Sequence, residues 1–282
     1  MSGALLPPIP LYIAYSKNEL ASAQAVAKSN PATQSLISYF QTVAPTIKTP
    51  EQLLSNTRAL SVVLGAFGVT SYANETAVLK QLLTQSPTAQ GSLASTIGNA
   101  KLQAFAEAFS NWGTKTPLSD SSSVSAVVNA FEAGAFEQQA GTQAPGLQNA
   151  LYFSRNIGSI TTITQLQSDS TLLEVAVAVL GVPYDDFAQL DFAQQTSLIN
   201  SKIKASDFTN PTWVNHTAEQ YLVQQTSSTS LVPTITPGSI ESLFSNSTSL
   251  ATGNSLLSIL DTSLASSTGT TASAGSLLSL FT

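Results

Sequence analysis

One run of residues occurs twice in this chain, 113 positions apart and without a gap, and that repetition constrains the fold more than any other feature. The first copy starts at Thr49 and carries Gln52, Leu53, Ser55, Leu60, Val62, Gly68 and Val69. The second starts at Thr162 and carries Gln165, Leu166, Ser168, Leu173, Val175, Gly181 and Val182. Upstream, Tyr39-Phe40 falls on Tyr152-Phe153 at the same offset.

The repeated run reads as a folding instruction. Thr49 and Thr162 stand where an N-cap oxygen accepts from the third helical amide, and Gln52 and Gln165 are spaced to reach back in a capping box. Pro50 takes the first helical position, where its missing N–H costs nothing. About one turn later Ser55-Asn56 and Ser168-Asp169 offer a second cap, so the chain should stop and restart as a longer helix. Gly68 and Gly181 then end that helix in the left-handed conformation glycine tolerates best. The longer helices carry apolar stripes, Leu60, Val63, Leu64 and Phe67 in one copy and Leu173, Ala176, Val177 and Leu180 in the other, which must be buried against partners.

Apolar residues recur at three- and four-residue spacing through most of the chain, with no convincing alternation of the strand type. Helices are expected over 11–28, 31–43, 50–54, 58–67, 73–84, 90–97, 100–111, 124–140, 145–155, 163–167, 170–180, 192–202 and 211–225. The fold class is all-α: a multi-helix bundle built from two pseudo-repeated helical halves, in one core or two abutting halves about a pseudo-twofold. The expected division is an N-terminal extension over 1–10, a first half over 11–113, a linker over 114–123, a second half over 124–225 and a Ser/Thr-rich flexible tail over 226–282. A chain of 282 residues has length enough for a core that needs no staples.

Composition narrows the function classes. Only 9% of residues are charged and the formal net charge is −6, with a pI near 4.6, so the basic footprint that nucleic acid requires is missing. Zero Cys removes disulfides, thiolate nucleophiles and thiolate metal sites together. Three prolines between Pro7 and Pro10 break the apolar start, which lacks a basic region and does not read as a cleavable secretory signal. No stretch approaches the roughly 18 to 20 apolar residues of a membrane span. Of the last 57 residues 27 are Ser or Thr, too polar to offset chain entropy unaided. Three apolar runs interrupt that segment and are candidate docking segments: Leu243-Phe244, Leu256-Leu257 with Ile259-Leu260, and Leu277-Leu278 with Leu280-Phe281.

Catalytic signatures are missing. The single histidine, His216, has no Cys or second His with which to build a usual zinc site, and reads as a surface residue. Asp185, Asp186 and Asp191 lack the ligand alternation and glycine of a calcium loop, and read as helix caps and solvated acids. Asp207 to Pro211 reads as a turn and an N-cap. No GxxxxGK[ST], GxGxxG, GxSxG or HExxH run occurs. The Asn-x-Ser/Thr triplets at Asn74, Asn215 and Asn246 are no more than so Ser/Thr-rich a chain produces. Tyr39, Phe40, Phe105, Phe109, Trp112, Tyr152 and Phe153 are expected in the core. No catalytic residue, cofactor or metal is expected.

The run Leu102 to Phe109, then Glu137-Gln138-Gln139 and Ala150 to Arg155, together with the doubled Thr-x-x-x-Leu before each glycine, resembles the alphaproteobacterial domain of unknown function 1217 (DUF1217), over roughly 11–225. The resemblance implies a helical body, no assigned catalytic residues and a frequent place among flagellar genes, with labels as basal-body or rod-associated proteins. Poverty of charge and the Ser/Thr-rich tail depart from that family's usual look. The expectation is therefore a non-enzymatic, flagellum-associated structural or assembly protein with a protein partner, cytoplasmic or at the flagellum, with no nucleic acid and no membrane span. The alternative is a cytoplasmic binding module or export chaperone that takes a client's amphipathic helix between the halves. A cell-wall hydrolase is the distant third, and a convergent carboxylate pair in a deep cleft would favour it.

Overall fold

A computed structural model describes residues 7–113 and 115–230, with side chains up to 226, and the candidate docking segments between Leu243 and Phe281 lie outside these described residues. The described chain contains fifteen α-helices and no strand. They are α1 (Pro8–Ser16), α2 (Glu19–Ser29), α3 (Pro31–Val43), α4 (Pro50–Ser55), α5 (Thr57–Ala66), α6 (Thr76–Thr84), α7 (Leu93–Thr96) and α8 (Ala100–Phe109), followed by α9 (Ser121–Gly141), α10 (Leu147–Asn156), α11 (Ile163–Ser168), α12 (Ser170–Val177), α13 (Tyr184–Ala188), α14 (Phe192–Lys202) and α15 (Pro211–Ser230).

The repeated corner forms in both places. Thr49 accepts from Gln52 N at 3.2 Å and Thr162 from Gln165 N at 3.2 Å, with near-identical cap backbones. The second cap also forms twice, Asn56 accepting from Ala59 N and Asp169 from Thr171 N and Leu172 N. Gly68 and Gly181 are left-handed, at φ 67° and 75°. The reciprocal box, however, exists in one copy only. Gln165 Oε1 accepts from Thr162 N at 3.2 Å, whereas Gln52 Oε1 overshoots to Lys48 N at 2.6 Å.

Several expected boundaries shift, and α13 falls where no helix was expected. The helix expected over 11–28 is two, because Asn18 leaves the helical region (φ −141°, ψ 45°) and α2 restarts at Glu19. Asn is a residue whose short polar side chain competes with the backbone and favours such breaks. The stretch expected as a linker over 114–123 has Thr116 and Leu118 buried, and Asp120 caps α9 by accepting from Ser123 N at 2.8 Å. The last helix runs on to Ser230.

Two hydrophobic clusters form the core, and each borrows from the other part of the chain. The first gathers residues from Ala27 to Phe109 and adds Leu118, Val124, Val127 and Val128 from the start of α9 and the segment before it. The second gathers residues from Phe136 to Leu222 and adds Tyr12 from α1 and Ala23 from α2. Helix α9 thus serves both: its first turns seal one cluster, and Phe136 and Ala140 enter the other. Phe67, Phe105 and Phe109 pack at 5.6 to 5.8 Å between centroids in the first cluster. Trp213 lies between Phe153 and Phe208 in the second. Burial of Phe105, Phe109, Phe153 and Phe208 contributes about 1.5 to 3 kcal/mol each, and edge and offset contacts add to that.

Candidate functional site

In a chain so poor in charge, five charged side chains converge on one region. Glu137 projects from α9, Arg155 from α10, Lys101 from the first turn of α8, Asp169 caps α12 and Glu19 opens α2. Four of them, Lys101, Glu137, Arg155 and Asp169, border with Tyr152 a cavity of about 620 Å³ that has Phe67 and Phe131 as apolar wall. A second cavity of about 580 Å³ shares Arg155 and is lined by Lys17, Glu19 and Asn215.

Tyr152 is the centre of the first arrangement. Its hydroxyl donates to Asp169 Oδ2 at 2.8 Å, Lys101 Nζ stands 4.3 Å from its ring centroid and the Arg155 guanidinium carbon 5.7 Å. Two cations over one electron-rich ring face a ring quadrupole that attracts both. Lys101 Nζ also donates to Thr171 Oγ1 at 3.0 Å and lies 3.9 Å from Asp169 Oδ1, joining the start of α8 to the cap of α12. Burial first, and the Asp169 carboxylate second, push the Tyr152 hydroxyl well above its ordinary range, so it remains a proton donor.

Arg155 is the centre of the second arrangement. Its Nε–H is donated to Glu137 Oε1 at 2.7 Å, and Glu19 Oε1 lies 3.3 Å from the same nitrogen. Both carboxylates are largely withdrawn from solvent, at 4% and 15% side-chain exposure. Burial pushes Glu19 up to about 7, helped by Glu137 and opposed by Arg155, while Glu137 is raised by burial against the pull of Arg155. Burial works to lower Arg155, but the two carboxylates more than offset it and raise it.

His216 is exposed on α15. Asp185 and Asp186 lie in the first turn of α13, and Asp191 caps α14, accepting from Gln194 N at 2.8 Å. Asn210 accepts from Thr212 N at 3.0 Å at the start of α15. The converging residues went largely unsignalled: Asp169 reads only as a cap, and Glu137 and Arg155 only as part of the family-like runs. One cue was present, because Glu137 interrupts an apolar stripe of Ala133, Phe136 and Ala140 at helical spacing and is itself buried. Among the described residues no group of three or more His, Cys, Asp or Glu could hold a metal ion, and no helix is long and apolar enough to cross a membrane.

The X-ray crystal structure of protein AGR_C_984 from Agrobacterium tumefaciens superposes on this fold with a TM-score of 0.69 at 20% sequence identity, covering 79% of this chain and 96% of that one. At that identity the likeness establishes a shared fold and nothing further. No curated protein matches the chain. The family model described as protein of unknown function DUF1217 matches residues 66–214, a stretch that holds Lys101, Glu137, Tyr152, Arg155 and Asp169. With more than half of its length under that model, the chain belongs to the DUF1217 family.

Proposed function

We propose that this protein is a non-enzymatic, flagellum-associated structural or assembly component that acts through protein–protein contacts. The observation that carries the reading is how the buried charges are used. Glu137 holds Arg155, Asp169 holds Tyr152 and Lys101, and Lys101 also holds Thr171, so these groups join helices to one another. The carboxylates Glu19 and Glu137 do converge, as a hydrolase would need, but Glu19 lines one cavity and Glu137 the other, with Arg155 shared between them. A glycosidase pair instead flanks a single scissile bond.

Family membership and the flagellar gene context implied by the resemblance supply the assignment to the flagellum. The cavity between α5, α8, α9 and α10 sets Lys101, Glu137, Arg155 and Asp169 beside its apolar wall of Phe67 and Phe131, so only part of its lining suits the apolar face of an amphipathic client helix. Contact is assigned to the apolar runs beyond residue 230, Leu243-Phe244, Leu256 to Leu260 and Leu277 to Phe281. The test is deletion of the gene with scoring of swimming and filament assembly, together with pull-downs by the full chain and by residues 1–230. Loss of motility and of partners supports the proposal. Normal flagella in the deletion strain would overturn it.

A further inference from the structure

Arg155 is one cation between two carboxylates, Glu137 buried and Glu19 largely withdrawn from solvent, and its Nε carries one proton to give. Glu137 takes it at 2.7 Å. Glu19 Oε1, 3.3 Å from the same nitrogen, is shut off from solvent and accepts no hydrogen bond. A carboxylate oxygen with neither water nor a donor is costly as an ion, and protonation removes that cost.

The other groups around it do not supply a second cation. From α1, Tyr12 is pushed up to about 12 by burial first, and by Glu219 and Glu19, so it stays neutral and donates to Asn215 at 3.0 Å. From α10, Tyr152 is likewise neutral and committed to Asp169. From α8, Lys101 acts on Glu137 but is bound to Asp169 and Thr171. From α15, Glu219 adds negative charge. Lys17, two residues before Glu19, is exposed.

Glu19 is also the first residue of α2, directly after the break at Lys17 and Asn18 that separates α1. Helix α1 sends Tyr12 into the second cluster, to which α2 adds Ala23. We propose that Glu19, Glu137 and Arg155 form a proton-gated latch that holds the α1–α2 arm on α9 and α10, closed when the two carboxylates share one proton and loosened when both are ionised.

The sign follows from linkage. Glu19 titrates at about 7 in the fold against an ordinary value of 4.5, so between those values the folded chain keeps a proton the unfolded chain has released. The hold of the arm is full at the acid side of that window, falls as pH rises through it and is least above about 7.

Amide hydrogen exchange of the full chain tests this. Protection factors of α1 and α2 should fall about tenfold or more between about pH 5.5 and about pH 8, while α5 holds steady, and Glu19→Gln should reduce the change to less than about twofold. A carboxyl-carbon NMR titration of the native chain should place the Glu19 midpoint above about 6, and this measurement decides alone if the variant fails to fold. Protection of α1 and α2 that ignores pH, an unchanged pH response in Glu19→Gln, or a Glu19 midpoint near 4.5 would each overturn the latch.

Discussion

Tyr152 donates its hydroxyl proton to Asp169 at 2.8 Å, and 113 positions earlier the same corner is closed with the polarity reversed, Asn56 Nδ2 donating to the Tyr39 hydroxyl at 2.9 Å. Exchanging the amide for a carboxylate adds a buried negative charge, and the two copies answer their environments differently. Over Tyr39 lies Arg58, from the same repeated unit, at 4.1 Å; over Tyr152 lies Lys101, from 51 residues upstream, which also reaches Asp169. Two differences within the repeated corner, Asp169 for Asn56 and Thr171 for Arg58, thus accompany the change from a local brace to a long-range one.

Asp169 should therefore matter more than Asn56. Asp169→Ala removes a helix cap and leaves the Tyr152 hydroxyl without its acceptor, an expected loss of about 2 to 4 kcal/mol. Asp169→Asn keeps the cap and borrows the arrangement at Asn56, with an expected loss of about 1 kcal/mol. Urea unfolding midpoints of the two variants against the parent chain check the order. Equal losses would show that the cap contributes nothing and that the carboxylate charge alone is what Asp169 provides.

The caps offer a matched comparison between copies. Gln165 Oε1 receives from Thr161 N, Thr161 Oγ1 and Thr162 N, while Gln52 Oε1 receives only from Lys48 N. Gln165→Ala should cost more than Gln52→Ala, by about 0.5 to 1 kcal/mol, since each exposed capping bond is of that size. Chemical denaturation of both single variants measures the difference, and a larger cost at Gln52 would contradict it.

What the sequence revealed was local. The Thr caps, the Asn56 and Asp169 restarts and the two left-handed glycines depend on residues a few positions apart, and their spacing states them directly. Alternating caps and apolar stripes also made the all-helical class readable. The break at Asn18 was not, because no proline or glycine marks it and a continuous apolar period runs across it. The convergence of Glu19, Lys101, Glu137, Arg155 and Asp169 was not readable either. Their partners are separated by up to 136 residues, and only the folded packing of α2, α8, α9 and α10 brings them together. The interleaving of the clusters is similarly a property of where α9 crosses rather than of any residue pattern.

The crossing of α5 and α9 is close enough to exclude a methyl group. A Cβ on Gly65 would come within 2.7 Å of the Phe131 ring, and one on Gly134 within 3.4 Å of the Gly65 carbonyl. Gly65→Ala should destabilise by about 1 to 3 kcal/mol, since the Phe131 ring must shift to admit the methyl group. Adding Phe131→Leu should recover part of that loss, giving a coupling of at least about 0.5 kcal/mol in a double-mutant cycle. Strict additivity would mean that the helices separate rather than the ring shifting.

The interleaved clusters should unfold together, and the two tryptophans can report on them separately. Trp112 packs on the first cluster beside Phe109, and Trp213 lies in the second between Phe153 and Phe208. Single-tryptophan chains made by Trp112→Phe or Trp213→Phe leave one probe each. Because α9 contributes Val124, Val127 and Val128 to one cluster and Phe136 and Ala140 to the other, a break in either cluster exposes the apolar face of the same helix. Fluorescence midpoints from the two chains should coincide once each is corrected for its own stability change. Val127→Ala, placed in the first cluster, should destabilise by about 1 to 3 kcal/mol and lower the Trp213 midpoint as far as the Trp112 midpoint. If the Trp213 signal ignored Val127→Ala, α9 would be joining two independently stable units, and the exchange of helices between the clusters would contribute connection without cooperativity.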